Sequence, residues 1–223
     1  KYWYRIAMFS ARASRVWRGF RALALCLLIS LPSVLSAADT PTPAHALSQR
    51  MTSLNGMRAG IVQKIYANGV VLEESQGSMA LAKPNLRWQV DTPFPQVIVV
   101  TQNKLQIYDE DLAQLTIRDL ADTLSETPAD VLMQPERLLS DDYSVTLSRA
   151  EAREVYRLFS DASSALFQRL EIVFAGDTVE SLTILDWQSQ QTQIPFFDVE
   201  IPAELPGSLF ELSVPQDTDV IRG

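Results

Sequence analysis

Short segments in which polar and apolar residues alternate recur along most of the chain. Successive side chains of a β-strand point to opposite faces of its sheet, so this alternation predicts half-buried strands. Residues 97–100 form the one continuous apolar run among the early segments. The alternating segments are Arg87–Val90, Lys104–Ile107, Gln114–Ile117, Arg169–Ile172, Ser181–Ile184 and Phe210–Leu212. The predicted turns between strands are Asn68-Gly69, Gly77, Asn103 and Gly176-Asp177.

One helix is predicted before the strands. Thr42 and Pro43 are typical of a helix cap and first turn, and Gly56 is typical of a helix end. Apolar residues between them recur every three or four positions, which places them on one helix face. These residues are Leu47, Met51 and Leu54.

A second, shorter helix is predicted in the middle of the strand series. Thr127–Asp130 offers a cap, a proline at the first helical position and an acidic residue at the third. Val131, Leu132 and Met133 follow, and Pro135 ends the segment. The whole pattern predicts a mainly β protein: a long antiparallel meander forming an incomplete or flattened barrel, with helices across its opening.

The predicted strands carry large apolar side chains on the face that we expect to point inward. Such a stripe is compatible with a filled core, which is its more common meaning, and with an open pocket for lipid. The residues are Trp88, Leu105, Ile107, Leu115, Leu170, Ile172, Phe174, Phe196, Phe210 and Leu212.

The first residues have the order of a secretory signal peptide. Basic residues without any acidic one precede the apolar run Ala22–Leu31, which is too short to span a bilayer, and Pro32 and the small residues 36–38 follow. The alternative, a short buried helix, does not explain the basic residues. We expect a signal peptide over residues 1–37, cleaved near 37/38, and a single secreted, soluble domain over residues 38–223. The basic residues are Lys1, Arg5, Arg12, Arg15, Arg18 and Arg21.

Removal of this segment changes the charge and the cysteine content. The chain has 19 Lys and Arg and 27 Asp and Glu; the segment holds six of the basic residues and none of the acidic ones. The remaining domain therefore has 13 basic residues and a net charge of −14, which disfavours nucleic acid as a partner. The single cysteine, Cys26, leaves with the segment, so the domain has neither a thiol nucleophile nor a disulfide.

Candidate catalytic residues are scarce. His45 is the only histidine, and without a second one the usual nucleophile–base arrangements lack their base. Carboxylates cluster at Glu73-Glu74, Asp109–Asp111 and Asp141-Asp142. Adjacent strand residues point to opposite faces, so these acids fit solvated turns better than a hydrolase or calcium site. We expect no enzyme activity, no cofactor and no metal; a carboxylate-only hydrolase is the alternative.

An ordered series of short motifs resembles the outer-membrane lipoprotein carrier (LolA) family. It includes a basic residue, a proline and an aromatic-containing strand at Lys83–Trp88, and it covers roughly residues 46–221. No single motif is specific, whereas their order along the chain is. The other matching segments are Met57–Gln63, Asp91–Pro93, Leu105–Asp109, Asp111–Gln114, Thr127–Met133, Phe196–Val199, Phe210–Pro215 and Asp219–Ile221.

The resemblance implies an unclosed antiparallel barrel, lidded by helices, with an apolar interior for acyl chains. It implies a monomeric periplasmic chaperone that takes lipoproteins from an inner-membrane ABC transporter and hands them to an outer-membrane receptor. The alternatives are that receptor itself, which as a lipoprotein needs a cysteine, and a lipoprotein-sensing regulator of the same fold. The residues expected in the lipid site or its lid are Lys83, Trp88, Leu105, Ile107, Leu115, Val131, Leu132, Met133, Leu170, Ile172, Phe196 and Phe210.

Two positions depart from the family pattern. Lys83 stands where the family usually has arginine, and a lysine offers a point charge instead of a rigid guanidinium fork. Leu86 leads directly to Arg87 where the family has an aromatic residue. A strand register shifted by one residue is the alternative that this second departure raises, and it would turn Trp88 outward.

Overall fold

The computed structural model describes residues 41–54, 56–102, 104–119, 132–133, 135–136, 142–162, 165 and 167–223. Residues 1–40, which include the expected signal peptide, lie outside this part of the chain, as do the predicted turn residue Asn103 and the start of the predicted second helix. The first described element is helix α1, Pro43–Ser53. The strands are β1 Met57–Ala67, β2 Val70–Ala82, β3 Asn85–Thr92, β4 Gln96–Val100, β5 Lys104–Asp109, β6 Gln114–Asp119, β7 Ser144–Ala150, β8 Arg153–Phe159, β9 Arg169–Ala175, β10 Thr178–Leu185, β11 Gln190–Glu200 and β12 Asp219–Arg222.

All twelve strands form one sheet, in the order β12-β6-β5-β4-β3-β2-β1-β11-β10-β9-β8-β7. Each pair of neighbours is antiparallel except β12 and β6, which are parallel. The predicted antiparallel sheet is therefore confirmed for all strands but the last. It consists of two meanders, β1 to β6 and β7 to β11, joined by the pairing of β1 with β11 instead of one continuous meander. Among the described strands β7 and β12 are the two edges, so the sheet is unclosed, as expected.

The first helix agrees with its sequence signals. Thr42 is the N-cap, and its hydroxyl oxygen accepts a hydrogen bond from the backbone N–H of His45. Leu47 and Met51 are fully buried and Leu54 nearly so. Within the described residues, no helix has the length and hydropathy needed to cross a membrane.

The predicted turns at Asn68-Gly69 and Gly176-Asp177 are confirmed, with positive φ at Asn68, Gly69 and Gly176. Gly77 was wrongly predicted as a turn, since it lies inside β2 beside a register shift in the β2–β3 pairing. A Cβ at this position would collide with the carbonyl oxygen of Gln89 on β3. The glycine therefore allows two backbones to approach closely instead of reversing the chain.

Alternating side chains give the sheet two apolar faces. On the inner face, the one that α1 covers, buried side chains from β1 to β5 and β8 to β11 form what we call the inner cluster. On the outer face, Ala80, Val97 and Val99 pack against Leu205 and Phe210, and we call this group the outer cluster. Residues 201–218, the C-terminal segment, cover the outer cluster. Strand β4 contributes to both clusters, which explains its continuous apolar run.

Three predictions about the inward face are wrong. Phe210–Leu212 is not a strand: Phe210 ends the 3-10 turn Gly207–Phe210, and both Phe210 and Leu212 pack in the outer cluster. Leu115 pairs with Tyr108, and Tyr108 pairs with Val97 of the outer cluster. Because directly paired residues share a face, Leu115 also lies on the outer face.

Candidate functional site

The inner face gathers most of the side chains that the sequence assigned to a lipid site. Ile107 and Met133 are partly buried and pack against the inner cluster. Val131 lies outside the described residues, whereas Leu115 and Phe210 lie on the outer face. Six of the twelve predicted residues are buried members of the inner cluster: Trp88, Leu105, Leu132, Leu170, Ile172 and Phe196.

The orientation of Trp88 follows from the register of β3. Trp88 pairs with Met79 on β2 and Ile98 on β4, both of which face the interior. Its side chain is 5% exposed, and Leu86, two residues earlier, is fully buried on the same face. The leucine that replaces the family's aromatic residue therefore leaves Trp88 facing inward.

Helix α1 covers part of the inner face. Its buried residues Leu47 and Met51, with Leu54 at the helix end, belong to the inner cluster. Just after the helix, the backbone N–H of Gly56 donates to the carbonyl oxygen of Leu81 at 3.0 Å. The helix thus contributes apolar contacts to the site and is joined to β2 by the backbone that follows it.

Lys83, in the β2–β3 turn, joins this turn to the end of α1. Its Nζ donates to the carbonyl oxygen of Met51 at 2.6 Å. Burial lowers the pKa of the Lys83 ammonium, and the nearby carboxylate of Glu136 opposes that shift. Lys83 therefore contacts the end of α1, whereas its assignment to a lid and its role in transfer stay predictions.

Arg50 joins the same end of α1 to strand β8 and to the β9–β10 turn. Its Nη2 and Nε donate to one oxygen of Glu154, at 2.8 and 3.1 Å, and its Nη1 donates to the Gly176 carbonyl at 2.8 Å. A longer contact of 3.2 Å reaches Asp177, which is almost fully exposed. The guanidinium also lies 5.2 Å from the ring centre of Phe174, a cation–π distance.

Glu154 is the acceptor at the centre of this group. Its other oxygen accepts from Arg149 Nε at 2.8 Å, and Tyr156 donates its hydroxyl to Glu154 at 3.4 Å. The hydrogen bonds from Arg149 and then Arg50 lower the pKa of the Glu154 carboxyl, against the effect of burial. The carboxylate is therefore charged, and it binds α1 to β8 as long as it stays charged.

Arg50 was not among the residues that the sequence pattern indicated. A local signal exists, because Arg50 directly precedes the buried Met51 and stands three residues after the buried Leu47, at the margin of the apolar helix face. Its partner is 104 residues away, and no local pattern could identify Glu154 among the acidic residues.

Among the other polar candidates, Glu73 and Glu74 are exposed but lie in strand β2 and not, as was expected, in a turn, and Asp141 lies outside the described residues. His45 is exposed on α1. Asp109 accepts from the backbone N–H of Leu112 at 3.0 Å, as an acid that organises the β5–β6 turn does. Within the described ranges, no group of three or more His, Cys, Asp or Glu side chains is arranged to hold a metal ion.

Two clefts open on the outer face beside Leu209, with volumes of about 350 and 480 Å³. Arg87 lines both, Arg58 and Glu200 line the first, and Glu211 lines the second. A charged lining does not suit acyl chains, because each buried charge needs a partner. The inner face is therefore the better candidate for an apolar ligand.

Comparison with known proteins identifies the family. The family model "Outer membrane lipoprotein carrier protein LolA" matches residues 52–213. The outer-membrane lipoprotein carrier protein of Chromohalobacter salexigens is 31% identical over 208 residues, covering 92% of this chain and 98% of the relative. That of Legionella pneumophila strain Lens is 30% identical over 203 residues, covering 91% and 98%.

Among solved structures, the chain is similar to an uncharacterized conserved protein from Thermus thermophilus. The TM-score is 0.53 at 14% identity, and the match covers 81% of this chain and 99% of the other. At this identity the likeness concerns the fold alone.

Proposed function

The chain belongs to the LolA family of outer membrane lipoprotein carrier proteins, and we propose that it binds the acyl chains of lipoproteins on the inner face of its sheet. Helix α1, together with the segment that contains Leu132 and Met133, serves as a lid over that face. The acyl chains replace contacts that the lid makes with the sheet in the absence of cargo.

The observation that carries this proposal is the way α1 is held. Its apolar side rests on the inner cluster. Its links to the β2–β3 turn, to strand β8 and to the β9–β10 turn are polar: Lys83 to Met51, and Arg50 to Glu154 and Gly176. Polar contacts near solvent are worth about 2 kcal/mol or less each, because water replaces them when they break. The lid can therefore move without the sheet coming apart.

The energetic balance favours reversible binding. Burial of each methylene is worth about 0.8 kcal/mol, so one long acyl chain gains on the order of 10 kcal/mol before costs. Displacement of α1 exposes Leu47 and Met51, which are fully buried in the closed form. This cost offsets part of the gain, and a carrier must release its cargo.

The proposal includes a route and a compartment. Residues 1–37 direct export and are removed, leaving a periplasmic carrier of residues 38–223. An inner-membrane ABC transporter supplies the lipoprotein, and an outer-membrane receptor accepts it. The name that the curated relatives carry, outer-membrane lipoprotein carrier protein, supports the cargo and the direction of this route.

The test is competition between an apolar fluorescent probe and a lipoprotein for the purified carrier. We expect the probe to bind and a triacylated lipoprotein to displace it. The matched control is the same lipoprotein polypeptide without its acyl chains, which should leave the probe bound. Retention of the probe at saturating acylated cargo, or equal displacement by the unacylated form, would overturn the carrier proposal.

A further inference from the structure

The hairpin of β1 and β2 extends beyond the strand that pairs with β2 on its other side. Strand β3 ends at Thr92, which pairs with Gln76, so the first six residues of β2, Val70–Ser75, pair with β1 only. At about 3.3 Å per residue, this free edge is roughly 20 Å long. Among the described strands, none pairs with it.

The free edge is apolar and exposed at its start. Val70, Val71 and Leu72 are 62%, 46% and 60% exposed, which is unusual for three consecutive large apolar residues. Unpaired backbone groups beside apolar, β-favouring side chains are a template for another strand. A register shift at Leu72 and the charges of Glu73 and Glu74 are the protective features along this edge, which contains no proline and no lysine.

The charges beside the edge indicate what kind of strand fits it. Glu73 and Glu74 follow the apolar residues and are exposed, and Lys64 offsets Glu74 only in part through a contact of 3.2 Å at the surface. Pairing with a second copy would bring both copies' glutamates into one short ladder, which like charges disfavour. The same glutamates oppose an anionic membrane surface.

We propose that the free edge of β2, Val70–Ser75, is a docking site for an extended segment of a partner protein in which consecutive apolar side chains lie next to consecutive basic ones. The segment adds one strand to the sheet beside β2. Its apolar side chains contact the exposed valines and leucine, and its basic side chains contact Glu73 and Glu74. This site is separate from the acyl-binding face, so it holds the partner without displacing cargo.

The experiment measures amide hydrogen exchange of the purified chain with two short synthetic peptides. One has three consecutive valines with two lysines at one end, and the other has the same valines with two glutamates in place of the lysines. We expect the lysine peptide alone to slow exchange at Val70–Ser75, by about ten-fold or more when the site is saturated. Leu72→Lys should weaken this binding about ten-fold, which corresponds to the loss of one good contact.

The matched control is Leu112→Lys, because Leu112 is 67% exposed in the β5–β6 turn, away from this edge. It should bind the lysine peptide as the unaltered chain does. Glu73→Lys reverses one charge without adding apolar surface, and it should shift preference toward the glutamate peptide. Circular dichroism confirms that each variant is folded.

Several results would overturn the proposal. They are equal binding of the two peptides, protection of amides outside Val70–Ser75, and an equal loss with Leu112→Lys. Concentration-dependent protection of the edge without any peptide would assign it to a second copy. Protection by anionic phospholipid vesicles but not by the lysine peptide would assign it to a membrane surface.

Discussion

The two faces of the sheet are both apolar, yet their covers are attached in different ways. On the outer face, Leu205 and Phe210 of the C-terminal segment are buried against the sheet, and β12 then fixes the segment's end by pairing with β6. On the inner face, α1 has polar links through Lys83 and Arg50. Both covers bury apolar side chains, but only the outer one is also fixed by a strand of the sheet, and we propose that cargo displaces the inner one.

The largest expected effect is on the outer face. Phe210→Ala removes a side chain that is 6% exposed, and loss of a buried phenylalanine costs about 3–5 kcal/mol of unfolding free energy. Urea unfolding measures this loss, and acyl-probe binding by the molecules that remain folded should be unchanged. Leu212→Ala, at a partly buried neighbour, is the control and should cost less. Loss of acyl-probe binding without a change in unfolding free energy would contradict the assignment of acyl binding to the inner face alone.

The next effect is at the Arg50 contact. Arg50→Leu leaves the carboxylate of Glu154 with Arg149 as its remaining cationic partner, and loss of such charged hydrogen bonds costs about 2 kcal/mol. We expect faster hydrogen exchange in α1, slight change in β9 and β10, and easier entry of the acyl probe. Gln49→Leu, at an exposed site on the same helix, should leave exchange unchanged. Unaltered exchange in the Arg50 variant would mean that apolar burial alone holds α1.

A smaller effect is expected at Lys83. Lys83→Leu removes one hydrogen bond to the Met51 carbonyl, worth about 1 kcal/mol, without opening a cavity in the inner cluster. Transfer of bound lipoprotein to receptor-bearing outer membranes should fall more than the melting temperature does, whereas Lys83→Arg should be tolerated. Normal transfer by the leucine variant would make Lys83 a structural turn residue.

The smallest effect is a response to pH. Arg149 and Arg50 lower the pKa of the Glu154 carboxyl in the folded protein. The carboxylate therefore contributes its full stabilisation above the ordinary glutamate pKa of about 4.3. This stabilisation is lost as the pH falls through the lower pKa of the folded state. The protection of the α1 amides, relative to their intrinsic exchange rate at each pH, should therefore fall only in acid. Glu154→Gln should abolish this response, and a response that persists in that variant would place the titrating group elsewhere.

The sequence predicted the positions of the strands better than the face of the sheet to which each side chain points. Alternation identified Trp88, Leu170 and Ile172 correctly, because their strands bury the inner face. The same alternation failed at Leu115, since the outer face of the sheet is also apolar and only the register with Tyr108 assigns the side chain to it. The pattern at Phe210 marks a segment that packs across the sheet instead of joining it.

The two polar links of α1 also differ in how well the sequence indicates them. The resemblance indicated Lys83 as a lid contact because a local motif, a basic residue before a proline, marks the position. The link from Arg50 to Glu154 depends on two residues that the fold alone brings together. Long-range polar contacts of this kind have no periodic signature in a sequence, and the structure is needed to find them.

Quenching of Trp88 fluorescence by bromine atoms on the acyl chains of bound lipoprotein tests most directly whether cargo enters the inner face. Trp187, in the β10–β11 turn, is replaced by phenylalanine so that Trp88 is the reporter in the described part of the chain. The control replaces Trp88 with phenylalanine as well and places a tryptophan at Leu212 on the outer face. We expect brominated cargo to quench Trp88 and to leave the outer reporter unchanged. Bound cargo that leaves Trp88 unquenched, or that quenches the outer reporter instead, would contradict binding on the inner face.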